Sequence, residues 1–258
     1  MIPTLVNFRH AGDLGDIIYS LPLIKTVCAS MQGQAAILIE AAGYTRQRLT
    51  PDNWCGIDQL LLRQHYVGAV RPYNPGEGVT MNLNDFRDRL GKSLRNGIGH
   101  EKHLTHWMCE THGVPFSCMD EPWLEFDANP VAEVVFSRAG PGRKPGNVYQ
   151  NANFPWHYVW AKYHKHAVFI GTDYEHDAFC GTCGEVPHFK TPTLHEAAQV
   201  IAGCKLFVGN QTATHAIAEG LKKRIILEVW MGGPNCLVVR DGVLHGKDRS
   251  IKDQLPDL

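Results

Sequence analysis

Apolar residues recur along this chain in two rhythms, a period near two and a period near 3.6. From Thr4 to Arg9 (TLVNFR) they alternate with polar residues and predict a first strand. After a loop from His10 to Gly15, the residues Ile17, Ile18, Leu21 and Ile24 fall at helical spacing and predict a helix over Asp16–Val27. Pro22 lies inside that pattern and, lacking an N–H, predicts a kink or a restart. Ala35–Glu40 (AAILIE) predicts a buried second strand. Ile57–Leu62 and Gly78–Leu83 are weaker strand candidates, and His103–His112 reads as a helix rich in aromatics and histidine.

The second half is more regular. Asn147–Asn151, His166–Gly171 (HAVFIG), Lys205–Gly209 (KLFVG) and Arg224–Val229 (RIILEV) predict strands. Phe154–His164, Thr193–Ala202 and Thr212–Leu221 predict helices. Thr193 followed by Glu196 has capping-box spacing. Glu133–Ser137 (EVVFS) fits either the last strand of the first half or the first strand of the second. Strands alternating with helices predict an α/β fold with parallel sheets. Between Asp127 and Gly146 the composition shifts to Pro130, Pro141 and Pro145 with Gly140, Gly142 and Gly146, so a junction is expected there. The predicted domains are residues 1–130 and 131–258.

Composition narrows the class. At 258 residues the chain has room for one large domain or two small ones. A hydrophobic share of 44% and a charged share of 20% suit a globular protein. Lys plus Arg number 25 against 26 Asp plus Glu, which leaves no overall basic excess of the kind that duplex-DNA binding favours. No apolar run reaches the roughly 20 residues of a membrane span, and the first residues lack the layout of a signal peptide. Eight scattered cysteines read as reduced thiols, so a cytoplasmic protein is expected.

Two loops carry candidate chemistry. Gly12-Asp13-Leu14-Gly15-Asp16 joins a predicted strand to a helix, where free N–H groups favour an anion and a carboxylate can act as cap or base. The loop has neither the GxGxxG spacing of a dinucleotide site nor the Gly-Lys-Ser/Thr of a P-loop. Val208-Gly-Asn-Gln-Thr-Ala-Thr-His215 repeats the strand–loop–helix plan, with Asn210, Gln211 and Thr212 placed to face a diphosphate. Glu228 ends a predicted strand at the edge where open sheets bind ligands, a place from which it can hold a ribose hydroxyl.

These residues also resemble a family. Leu14 to Lys25 (LGDIIYSLPLIK) is similar to the N-terminal signature of glycosyltransferase family 9, the ADP-heptose heptosyltransferases, and Gly203 to Leu221 to its C-terminal nucleotide-sugar motif. Asn153-Phe-Pro-Trp156, and Phe169-Ile-Gly171 with Glu175, resemble the start and second strand of its donor domain. Short uncharacterised bacterial and phage members are closer still. The resemblance implies a GT-B fold, two Rossmann-type domains facing across a cleft. The first, 1–130, would take the acceptor and the second, 131–258, the nucleotide-sugar donor. It implies inverting sugar transfer without metal or other cofactor, with the nucleotide sugar as co-substrate and Asp16 as the base. Gly15, Gly209, Asn210, Gln211, Thr212, Thr214 and His215 would contact the donor phosphates. The chain departs from the pattern in two places. Gln211 or Asn210 stands where an acidic residue is usual, and Phe154-Pro155 where a Lys is usual, so Arg138, Arg143 or Lys144 would supply the charge.

The acceptor stays open between a glycan, a small molecule and a modified nucleic acid. Two alternatives accompany transfer: a nucleotide-sugar-binding protein without activity, and a phage-type DNA-modifying glycosyltransferase. Cys180-Gly-Thr-Cys183 reads as a turn with free thiols, since no second such pair completes a zinc site. His100, His103 and His106 read as solvated or acceptor-facing. Trp107, Trp123, Trp156 and Trp160 read as packing residues. Asn82-Leu-Asn-Asp-Phe-Arg87 is a polar stretch that in a GT-B protein can line the acceptor side.

Overall fold

The structure is a computed structural model and describes residues 4–40, 56–95, 102–139, 150–233 and 235–258. The chain divides into two compact units, Met1–Glu125 with Thr193–His195, and Phe126–Pro192 with Glu196–Leu258.

The first unit is a parallel sheet of strands β1 (Thr4–His10), β2 (Gly33–Ile39), β3 (Val67–Pro72) and β4 (Met81–Asn82), in the order β3-β2-β1-β4. Helix α1 (Leu14–Ser30) returns the chain from β1 to β2 and buries Ile17, Ile18, Leu21 and Ile24. It continues through Pro22 rather than restarting there. Pro22 and its neighbours Leu21 and Leu23 are all buried, and that packing holds the turn that lacks a hydrogen bond.

Three expectations change. Ile57–Leu62 is not a strand but helix α2, whose buried Ile57, Leu60 and Leu61 follow the i, i+3, i+4 spacing. The strand beside β2 is β3, which the pattern did not single out. Of the stretch Gly78–Leu83 only Met81–Asn82 pairs, against Phe8 and Arg9 of β1. Helices α3 (Phe86–Arg95) and α4 (Leu104–His112) complete the unit. His103 caps α4 by accepting from the Thr105 N–H at 3.1 Å.

The second unit has five parallel strands, β5 (Val134–Ser137), β6 (Ala167–Phe169), β7 (Leu206–Asn210), β8 (Arg224–Glu228) and β9 (Val243–Gly246), in the order β6-β5-β7-β8-β9. The EVVFS segment thus supplies the first strand of this sheet. Helices α5 (Trp156–Tyr163), α6 (Asp173–Cys183), α7 (Leu194–Gly203) and α8 (Ala213–Gly220) link the strands. Phe136, Phe154, Trp156, Phe169, Phe179, Val208 and Ile226 share one apolar core. Cys180 and Cys183 lie on α6, so they belong to a helix and not to the expected turn. That helix starts on a capping box between Thr172 and Glu175. Of the expected strand at 147–151, residues 147–149 lie outside the described residues and Asn151 is loop.

Both sheets reverse their strand order once, and ligands of open parallel sheets bind beyond the strand ends at such a reversal. In the first unit the reversal lies between β1 and β4, and in the second between β5 and β7. The loops after those four strands hold both motifs found in the sequence. Among the described residues, no helix is long and apolar enough to cross a membrane.

Candidate functional site

In the first unit the loop after β1 brings Asp16 into the first turn of α1, next to Gly15. Its carboxylate Oδ2 accepts a 2.5 Å hydrogen bond from the Arg87 guanidinium, and the two side chains are 17% and 20% exposed. Among the described residues, Oδ1 makes no hydrogen bond or ion pair. Arg87 is the second residue of α3, and its backbone N–H donates to the Asn84 carbonyl at 2.9 Å. The Asn84 side chain in turn accepts from the Ala11 N–H at 2.8 Å, tying the loop after β4 to the loop after β1. The polar stretch Asn82–Arg87 therefore builds the surroundings of Asp16.

His10 ends β1 and is fully buried. Its Nδ1 accepts from the Gly12 N–H at 2.8 Å. Burial, reinforced by the Arg87 charge, lowers its pKa to about 3, so the ring is neutral at ordinary pH. Gly12 sits in the angle between these groups. A Cβ there would lie 2.5 Å from the His10 ring, 2.6 Å from Arg87 Nη2 and 2.8 Å from the Asp16 Cβ. Only a residue without a side chain lets the three groups converge.

In the second unit the loops after β5 and β7 face each other. The Ser137 and Thr214 hydroxyls are 2.9 Å apart, and those of Thr214 and Thr212 2.8 Å. Thr212 is the N-cap residue of α8, and the N–H groups of the first turn of a helix have no acceptor within it. Three hydroxyls thus gather where a helix start favours negative charge. Asn210 is buried, and its side-chain oxygen accepts from the Ala139 N–H at 3.0 Å. Gly209 lies opposite Ser137, and a Cβ there would come within 2.5 Å of the Ser137 carbonyl oxygen, so it serves strand packing.

Four residues expected to contact a donor are engaged otherwise. Gln211 accepts from the Trp230 N–H at 2.7 Å and donates to the Gly233 carbonyl at 3.0 Å, which ties the loop after β8 to the start of α8. His215 is buried on α8, and burial lowers its pKa to about 3, so it offers no positive charge to a phosphate. Arg138 forms a two-pronged ion pair with the fully buried Glu228, both bonds at 2.8 Å. The Glu228 carboxylate also accepts from the Asn151 N–H at 2.7 Å and the Trp156 indole at 2.8 Å. Four donors fill the lone-pair directions of a carboxylate, so Glu228 has none left for a ribose hydroxyl. Arg143 and Lys144 lie outside the described residues. Beside this ion pair, Arg138, Gln150, Glu175 and Phe179 line a cavity of about 340 Å³.

Sequence reasoning flagged Asn84 and Arg87 only as part of the polar stretch Asn82–Arg87, without their link to Asp16, and it missed His10 and Ser137. Arg87 is 71 residues from Asp16, and no local pattern signals that pair. Among the described residues no three His, Cys, Asp or Glu side chains are grouped to hold a metal ion.

Compared by sequence, the chain matches no family model and no curated protein. Compared by structure, it is similar to a glycosyl transferase family 9 protein from Veillonella parvula at 10% identity and a TM-score of 0.56, over 93% of this chain and 85% of that one. It is similar to Escherichia coli heptosyltransferase WaaC, solved with ADP-2-deoxy-2-fluoro heptose, at 10% identity and a TM-score of 0.54, over 96% and 95% of the two chains. It is also similar to E. coli ADP-heptose LPS heptosyltransferase II at 15% identity and a TM-score of 0.51, over 95% and 92%. Two parallel sheets with their linking helices thus give this chain the α/β, GT-B-like fold of the family 9 heptosyltransferases.

Proposed function

We propose that the protein is a glycosyltransferase that moves a sugar from a nucleoside-diphosphate donor to a hydroxyl acceptor, with inversion and without a metal. The observation that carries this reading is the Asp16 carboxylate, set at the strand-order reversal of its sheet with Oδ2 held and Oδ1 open. A carboxylate oxygen so presented can accept the proton of an acceptor hydroxyl while the hydroxyl oxygen attacks the anomeric carbon. The bond from that carbon to the diphosphate breaks, and the diphosphate departs with the electron pair. Its charge would be met by the N–H groups at the start of α8 and by the hydroxyls of Thr212, Thr214 and Ser137. Residues 1–130 would serve the acceptor and residues 131–258 the donor. ADP-heptose is the first donor to try, because similar folds are named for it or solved with its analogue. Reduced thiols suit a cytoplasmic protein.

The test is Asp16→Asn. It should leave donor binding nearly intact and lower transfer by roughly a hundredfold or more, the usual scale for a positioned base. Equal turnover in the two proteins would remove Asp16 from that role.

A second reading is a nucleotide-sugar-binding protein without transfer. Its support is the Arg138–Glu228 pair, which spends the nearby cation on an internal carboxylate. Sugar transfer, or steady hydrolysis of a sugar nucleotide, would refute it.

A further inference from the structure

The polar stretch Asn82–Arg87 supplies more than a lining. We infer that Arg87 is the positioning residue for Asp16, holding one carboxylate oxygen so that the other is presented to the acceptor, a role that rests on the reading of Asp16 as the base. A carboxylate at the start of a helix can turn about its side-chain torsions and offer either oxygen. Here the Arg87 hydrogen bond fixes Oδ2 and leaves Oδ1 as the remaining acceptor. The guanidinium is itself placed from two sides. Its backbone is bonded to Asn84, and the group lies 5.1 Å from the centre of the Phe86 ring. Asn84 also holds the Ala11 N–H, so one residue sets the position of both partners. Arg87 touches no reacting atom in this account and acts through Asp16.

Carboxyl labelling reads this contact without any substrate. The full-length protein is treated with a water-soluble carbodiimide and glycinamide at one pH, and amide formation at Asp16 is followed by peptide mass spectrometry. The 99% exposed side chain of Asp257 is the internal reference. A carboxylate bound to a guanidinium is withheld from the reagent, so Arg87→Ala should label Asp16 at least about fivefold faster, with Asp257 unchanged. Guanidinium ion at a non-denaturing concentration should slow Asp16 labelling in Arg87→Ala again, and Arg87→Lys should stay near the wild-type rate. A merely loosened fold would not respond to guanidinium. Equal labelling of Asp16 in wild type and Arg87→Ala overturns the inference, as does faster labelling that neither guanidinium nor Lys reverses. The two readings fail separately. If Asp16→Asn keeps full turnover, the base assignment falls while the labelling result stands. If Asp16→Asn loses turnover and Arg87→Ala leaves labelling unchanged, the base stands and the positioning role falls.

Discussion

Gly12 decides whether Asp16, Arg87 and His10 can meet, because a methyl group there would overlap all three. Gly12→Ala should cost about 1–3 kcal/mol by overpacking and should abolish whatever activity Asp16 supports. Denaturant unfolding checks the first part and a turnover assay the second. Gln211 needs both its oxygen and its nitrogen, since it accepts from Trp230 and donates to Gly233 and Asn235. The family resemblance would place an acid there or at Asn210, yet Gln211→Glu would turn a donor into a third acceptor. The cost should be about 1–3 kcal/mol, read by the same unfolding measurement; a more stable variant would contradict the clamp. His10 and His215 both have pKa values lowered to about 3 by burial. Unfolded, each takes up a proton near pH 6.5 that the folded protein refuses, so stability falls as pH drops from about 6.5 towards 3. Each contributes a slope of about 1.4 kcal/mol per pH unit in that window. Unfolding free energies at pH 7 and pH 5 should differ accordingly, and equal values would show that the two rings are not buried as described.

At the level of elements, the sequence displayed what is periodic and local. The strand–loop–helix units around Asp16 and around Gln211–Thr212 were legible because β1, α1, β7 and α8 each carry a clear apolar rhythm. Ile57–Leu62 misled because a six-residue apolar run suits a buried strand and a short helix equally well. β3 escaped notice because Gly68 and Pro72 weaken its strand signal. The site was half legible. Asp16, Thr212 and Thr214 lie in their own motifs, whereas Arg87, Asn84 and Ser137 join them only when strands 71 to 77 residues apart become neighbours. Glu228 was rightly placed at a strand end, but its four donors come from residues as far as 90 positions away, and nothing local announced them. The capping box that starts α6 gives a prediction at this scale. Thr172→Ala removes the acceptor for the Glu175 N–H and should cost about 0.5–2 kcal/mol. No loss on unfolding would mean that α6 does not depend on that cap.

For the molecule as a whole, each sheet reverses its strand order once, and each reversal is flanked by a loop that leads into a helix start. One such place presents a carboxylate and the other a set of hydroxyls and N–H groups, and the proposed sugar transfer would use the first as base and the second to hold the diphosphate. The central claim is that the second of these places takes a nucleoside diphosphate. Thermal unfolding of the protein with ADP, UDP, GDP, dTDP and CMP, and with their common sugars, tests it most directly. A ligand at about 100 times its dissociation constant adds roughly 2.7 kcal/mol, which for a chain of this size raises the midpoint by roughly 5–10 °C. The account predicts such a rise with at least one nucleotide, ADP being the first to try, and an unchanged midpoint with every one of them would contradict it.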